Sequence, residues 1–144
     1  MPILHQAEEA HIVNVSSMAA FMGLPQNAVY SLTKGAIRSF TEALRAELAS
    51  SNIGVSALFP GAVGTQILES ARGAQSERLA AFGRTKFSHF LARTPEAAAR
   101  KILRAIVHDK ARVLLGPDSR LLDFIARFFP GRNKLIGRAL DLLK

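Results

Sequence analysis

"HIVNVSS", residues 11–17, is a β-rich apolar run that ends in two small hydroxylic residues. Ile and Val suit a pleated, half-buried backbone, and the serines end the run. The stretch therefore reads as a short buried strand over residues 12–15 that opens into a loop. The loop "MAAFMGLPQN" follows, with Gly23 and Pro25. A long helix is expected next, over about residues 27–50, with Leu32, Ile37, Phe40, Leu44 and Leu48 at roughly helical spacing. "SSNIG" stops it, and "VSALF" reads as a second buried strand closed by Pro60 and Gly61. A variable stretch leads to Thr94-Pro95-Glu96, a helix start with a hydroxyl cap, a proline in the first turn and an acid at the positive end of the dipole. That helix is expected to reach about His108, and "RVLLG" gives a third strand. Strand, helix, strand, helix, strand is the pattern of an α/β fold with a parallel sheet under covering helices.

Composition narrows the chemistry. The 144 residues contain no cysteine, which excludes disulfides, zinc–cysteine sites and thiol catalysis and suits a reducing compartment. No apolar run reaches the roughly 18–20 residues that span a bilayer. The opening "MPILHQAEEA" lacks the basic and apolar regions of a signal peptide. A cytoplasmic protein, peripheral to a membrane at most, is the expectation. The net charge of +8 is uneven: residues 1–71 carry −2 and the rest +10. The basic character thus belongs to the C-terminal half. The four histidines, His5, His11, His89 and His108, show no paired ligand spacing, so no metal site is expected. No Gly-x-Ser-x-Gly elbow supports a serine hydrolase.

The chemistry-bearing pattern is "VYSLTK". Tyr30 and Lys34 stand four residues apart, and Ser17 lies thirteen before the tyrosine. Residues i and i+4 share a helix face, with Cβ atoms about 5–6 Å apart. A free phenol, with a pKa of about 10, is a poor base at neutral pH, and a nearby ammonium favours the phenolate. Such a phenol can give a proton to a carbonyl oxygen or take one from an alcohol. Ser17 sits where a strand ends, the end at which α/β sheets bind ligands. Taken alone, Tyr-x-x-x-Lys is weak and reads more often as a partly exposed helix pair; its spacing to a strand-end serine strengthens the functional reading.

Taken together, "HIVNVSS", "YSLTK" and "PGAVGT" resemble the second half of a short-chain dehydrogenase/reductase, in order and in spacing. The similarity is good to about Thr65 and looser to Gly116. It implies the C-terminal part of a Rossmann-like, doubly wound parallel sheet and an NAD(P)-dependent oxidoreductase that interconverts alcohols and carbonyls by hydride transfer. It further implies that Ser17 orients the substrate oxygen. Tyr30 would be the general acid/base, and Lys34 would bind the nicotinamide ribose while favouring the tyrosinate. Pro60 and Gly61 would lie against the nicotinamide, with Val63 and Thr65 as carboxamide or phosphate contacts. The resemblance implies NAD or NADP as coenzyme and a small apolar alcohol or carbonyl compound as substrate. Met18, Phe21, Met22 and Leu24 flank the site loop, either as packing or as the lining of an apolar pocket.

The departure from the family concerns the other half. The Gly-rich turn of the family, Thr-Gly-x-x-x-Gly-x-Gly, occurs nowhere in the 144 residues. The N-terminal strands of the sheet are missing with it, and so is the helix N-terminus that receives a pyrophosphate. The expectation is a fragment: residues 1–116 form the catalytic half of a Rossmann-like domain, and 117–144 a basic, amphipathic helical tail. The first strand becomes an exposed sheet edge. The chain by itself is expected to be inactive. The alternative is an inactive remnant that only oligomerises or binds a partner or a membrane surface. The tail carries two apolar stripes, Leu121 to Phe129 and Leu135 to Leu143, broken at Pro130-Gly131 and flanked by arginine and lysine. A lid, a subunit contact and an anionic membrane surface all suit it. A homo-oligomer formed through helix 27–50 is expected, and nucleic acid is not a fitting partner.

Overall fold

The computed structural model describes residues 1–23, 27–61 and 94–131, together with 134 and 138. A short helix α1 (Pro2–His5) leads into strand β1 (Ala10–Val15). A 3-10 turn (Met18–Ala20) follows, then helix α2 (Ala28–Glu47) and strand β2 (Ile53–Pro60). Helix α3 (Pro95–Val107), strand β3 (Arg112–Leu115) and helix α4 (Pro117–Phe128) complete the order. The strands form one parallel sheet in the order β1-β2-β3. Ile12 lies opposite Val55, and Leu58 opposite Val113. The expected α/β architecture is therefore present.

Strand alternation decides which helix covers which face. Val13, Leu58, Val113 and Leu115 point one way and pack with Ala98, Ile102 and Ala105 of α3. Asn14 points the other way, and its amide donates to the Thr41 hydroxyl of α2 at 3.1 Å. The two crossover helices thus cover opposite faces. β2 is central, and Ile53, Val55, Ala57, Leu58 and Phe59 are all buried. Burying each large apolar side chain contributes about 1.5–3 kcal/mol, so this strand is the anchor of the sheet.

The boundaries follow local chemistry. α2 ends at Glu47, short of residue 50, because Ser51 turns its hydroxyl back onto the Leu48 carbonyl at 2.8 Å and its N–H onto the same oxygen. Serines compete for helix carbonyls in this way. α3 begins as its sequence predicts: Thr94 Oγ accepts from Ala97 N at 3.2 Å. Of the apolar positions at helical spacing in α2, Leu44 is buried, whereas Leu32 and Phe40 are 71% and 61% exposed. With Val29 they form an outward apolar stripe, which the helical spacing alone did not separate from the inner one.

Among the described residues β1 is an edge strand, paired only with β2. At the other edge, α4 is held to the sheet. Ser119, fully buried, donates to the Phe59 carbonyl at 2.8 Å, and Arg112 of β3 donates to Asp123 at 2.6 Å. Gly116 opens α4 with φ +97°, a conformation that L side chains rarely adopt. The second apolar stripe of the tail lies outside the described residues, and only the flanking Lys134 and Arg138 fall within them. No helix among the described residues is long and apolar enough to cross a membrane.

Candidate active site

The carboxyl end of β1 and the first turns of α2 bring the predicted residues to one end of the sheet. Ser16 is the buried hinge between them. Its N–H donates to the Leu58 carbonyl at 2.8 Å, and its hydroxyl donates to the Lys34 carbonyl at 2.7 Å. The strand end and the helix are thereby locked in register. Lys34 reaches back, and Nζ donates to the Val15 carbonyl at 3.2 Å. The same ammonium lies 5.7 Å from the centroid of the Tyr30 ring. Tyr30 and Lys34 are therefore brought together on one helix face, as the spacing required. Tyr30 is 47% exposed, and among the described residues its hydroxyl has no hydrogen-bond partner.

Ser17 is nearly buried and caps the 3-10 turn, with its oxygen accepting from Ala19 N at 3.2 Å. That bond uses a lone pair and leaves the hydroxyl hydrogen free for another acceptor. Gly61 follows β2, and its N–H donates to the Leu115 carbonyl at 2.8 Å. A Cβ on Gly61 would collide with the Asp118 carboxylate of α4, so only glycine fits this turn. Pro60 is the last residue of β2, paired in register with Leu115. Val63 and Thr65 lie outside the described residues, as does Leu24. Phe21 and Met22 take the packing role. Met22 is buried, and the Phe21 ring stacks on Phe59 with centroids 4.6 Å apart. The Arg112 guanidinium lies 5.3 Å from both rings, so the site loop is fastened to β2 and β3. Sequence reasoning missed this clasp, because an arginine in a strand carries no signal of what it stacks on.

It also missed a polar network at the opposite, amino end of the strands. Arg45 donates to both carboxylate oxygens of Asp109, at 2.8 and 2.6 Å, and to the Val55 carbonyl at 2.6 Å. His11 Nε2 lies 2.7 Å from Ser56 Oγ, and His11 Nδ1 lies 3.9 Å from Asp109. Ser, His and Asp in that order look like a hydrolase triad, but the proton direction is wrong. Ser56 donates its hydrogen to the Lys110 carbonyl at 2.7 Å and is fully buried, so it accepts from His11 and cannot act as a nucleophile. Gly54 makes room for the arrangement, since a Cβ there would strike the His11 ring. The network is a structural latch. It joins β1, β2, α2 and the turn after α3. No group of three or more His, Asp or Glu side chains among the described residues could hold a metal ion.

The latch predicts acid sensitivity. Burial holds the His11 pKa below its ordinary 6.5; Asp109 opposes this and Arg45 adds to it. A depressed histidine favours folding fully above the unfolded value, and this contribution is lost as pH falls through the folded one. Stability should therefore drop between about pH 7 and 5, before the carboxylates titrate. Thermal midpoints across that range should fall for the natural chain and fall less steeply for His11→Gln. An unchanged slope in the variant would refute the latch.

Known proteins give the site its context. Residues 1–76 match the family described as short chain dehydrogenase. SadH of Mycobacterium tuberculosis, named as an oxidoreductase, is 31% identical over 129 residues, covering 88% of this chain and 47% of that protein. A dehydrogenase/reductase SDR family protein 7-like of Anopheles gambiae is 31% identical over 117 residues, covering 81% of this chain and 36% of its own. The chain thus spans half or less of the length of these relatives. Among solved structures, a short-chain dehydrogenase/reductase from Burkholderia phymatum in complex with NAD superposes with a TM-score of 0.64 at 26% identity, over 78% of this chain and 45% of that one. One from Burkholderia cenocepacia in complex with NADP shares the fold at a TM-score of 0.68 and 22% identity, over 96% of this chain and 51% of that one. The profile match covers more than half of the sequence and includes Ser17, Tyr30, Lys34 and the Pro60-Gly61 turn. This chain belongs to the short-chain dehydrogenase family.

Proposed function

We propose that the chain is the catalytic half of an NAD(P)-dependent oxidoreductase that interconverts a small apolar alcohol and its carbonyl compound. The observation that carries this reading is the approach of the Lys34 ammonium to the Tyr30 ring, with Nζ anchored on the Val15 carbonyl. Bound NAD(P)H would supply the hydride that the carbonyl carbon receives. Tyr30 gives its hydroxyl proton to the carbonyl oxygen and takes one back in the oxidative direction. Ser17, with its hydroxyl hydrogen uncommitted among the described residues, donates to the same substrate oxygen and fixes its position. Lys34 has three N–H donors and places one on Val15, which leaves two for the ribose hydroxyls. The residues present therefore suit the nicotinamide end of the coenzyme. The Gly-rich turn that would hold its pyrophosphate is absent from these 144 residues, so the half that binds adenosine and pyrophosphate is supplied by other sequence.

A homo-oligomer is part of this reading. Val29, Leu32 and Phe40, exposed along one side of α2, support assembly through that helix. The same stripe would serve a purely partner-binding remnant, but such a protein has no use for the Tyr30–Lys34 pair.

The test is Lys34→Ala in a chain completed by the Gly-rich first half of a relative. One residue serves the ribose and the phenol together. The KM for coenzyme should rise and kcat should fall, each by about 10- to 100-fold, as expected for losing charge-assisted hydrogen bonds of about 1.5–3 kcal/mol. A change in only one of the two constants would contradict the double role.

A further inference from the structure

A groove of about 470 Å³ runs along the outer edge of β3. α3 and α4 lie on opposite faces of the sheet. Val113 packs on α3, whereas its neighbour Arg112 turns to the other face and donates to Asp123 of α4. The edge between the two helices is therefore walled from both sides. Its lining includes Arg100, Lys101 and Arg104 of α3, Lys110 and Arg112 in and before β3, and Arg120 of α4. No carboxylate among the described residues lines it. Arg112 is committed to Asp123, and Lys101 donates to the Leu114 carbonyl. The other four cations are exposed and make no ion pair among the described residues.

The edge itself presents backbone. Among the described residues β3 pairs with β2 alone. The carbonyls of Ala111 and Leu115 face β2, where they accept from Ala57 N and Gly61 N. Successive residues of a strand direct their backbone groups to opposite sides, so the N–H and C=O of Arg112 and Leu114 face outward. Lys101 takes one lone pair of the Leu114 carbonyl and leaves the second. Such a row is a template for an added strand.

Charge decides which strand the edge admits. A second copy pairing through the same edge would bring its own cations against these. Edge lysines guard against self-pairing in this way, and Lys101 does so here. Phosphates of a nucleic acid or a lipid surface would answer the charge but offer acceptors alone, with no donor for the Arg112 carbonyl. An extended acidic peptide supplies donors, acceptors and charge together. Its side chains would alternate between the two faces. Carboxylates on one face meet Arg100 and Arg104, and those on the other meet Arg120.

We propose that the outer edge of β3 takes up an extended acidic peptide as a further strand, with its backbone on Arg112 and Leu114 and its carboxylates among Arg100, Arg104 and Arg120. This docking is independent of the catalytic reading, so either can fail alone.

The experiment is fluorescence anisotropy of the full 144-residue chain with a labelled peptide of Glu-Glu-Thr-Thr repeats, which sets glutamates on both faces of a strand. The control is a peptide of Glu-Glu-Pro-Pro repeats and equal length, which keeps the charge and loses half of the backbone donors. The control should bind about tenfold more weakly, since each backbone hydrogen bond contributes a factor of about 2 to 10. Binding should weaken as ionic strength rises from about 0.1 M to about 1 M. Arg100→Gln, Arg104→Gln and Arg120→Gln should each weaken it about 1.5- to 5-fold, and the triple variant roughly tenfold or more. Hydrogen exchange in segment 112–115 should slow when the threonine peptide binds. The peptide comparison and the exchange on the natural chain stand even where a variant fails to fold. Equal affinity for the proline peptide, no binding at low salt, or full binding by the triple variant would each overturn the proposal. So would slowed exchange confined to β1, which would place the peptide on the other edge. Displacement of the peptide by duplex DNA or phosphatidylglycerol vesicles, at lower charge concentration than by unlabelled peptide, would also overturn it and mark a nucleic acid or lipid surface instead.

Discussion

Tyr30→Phe should reduce carbonyl reduction by about 10²- to 10⁴-fold, the range that a positioned general acid contributes. The chain to use is one completed by the Gly-rich half of a relative, such as the Burkholderia phymatum protein whose structure it matches. The substitution removes one oxygen and keeps the ring. Tyr30 is 47% exposed and its hydroxyl bonds to nothing among the described residues, so the fold should not change. The coenzyme KM should hold within about twofold, because the ribose contacts belong to Lys34 and not to the phenol. Within these 144 residues no second tyrosine can substitute, since Tyr30 is the sole one. Steady-state rates with NADH and NADPH against an apolar ketone would settle it. Retention of more than about a tenth of the rate would mean that the proton comes from elsewhere.

The sequence announced features whose cause is local. The helix start at Thr94 was legible because the hydroxyl, the proline and the acid act on the three residues that follow, and the Thr94 cap is observed. The pairing of Tyr30 with Lys34 was legible because a helix fixes the distance between i and i+4. The parallel sheet followed from β-rich runs separated by helices. What escaped reading was long-range. His11 meets Ser56, 45 residues on, and Arg45 meets Asp109, 64 residues on. Gly54 appeared only as part of the signal that ends a helix, yet the His11 ring occupies the space its missing Cβ leaves. Likewise the Pro60-Gly61 turn was read as a strand end facing a coenzyme, whereas on its protein side Gly61 is fixed by the Asp118 carboxylate of α4. α4 thus reaches the site end of the sheet, through Asp118 and through the Ser119 bond to Phe59. The inward and outward stripes of α2 were also inseparable by spacing, since both are apolar, and only packing against β1 and β2 shows which one is covered.

The polypeptide of residues 1–144, produced alone, should bind neither NAD(H) nor NADP(H) measurably and should associate with itself. Two physical points carry this expectation. Hydride transfer needs a coenzyme held rigidly with its nicotinamide beside Tyr30, and rigid positioning depends on contacts along the whole molecule. Lys34 and the Pro60-Gly61 turn can touch the nicotinamide end alone, and two or three hydrogen bonds of about 1.5–3 kcal/mol each, about 3–9 kcal/mol together, are largely cancelled by the roughly 4–15 kcal/mol of lost translational and rotational freedom. The second point is the sheet edge. Among the described residues β1 pairs with β2 on one side only, and Val15 is 51% exposed while Ile12 and Val13 are only half-buried. An unpaired parallel edge with partly bare apolar faces is a template for another strand. The exposed stripe of α2 adds a second adhesive face. Calorimetric titration with both coenzymes, run beside light scattering to report mass, tests both points in one sample. A second strand offered to β1, as the complementing half of a relative, should restore monodisperse mass and coenzyme binding together, because one addition covers the edge and supplies the Gly-rich turn. Micromolar affinity in a clean monomer of the chain alone would defeat the claim, and would require residues outside those described to close a complete coenzyme site.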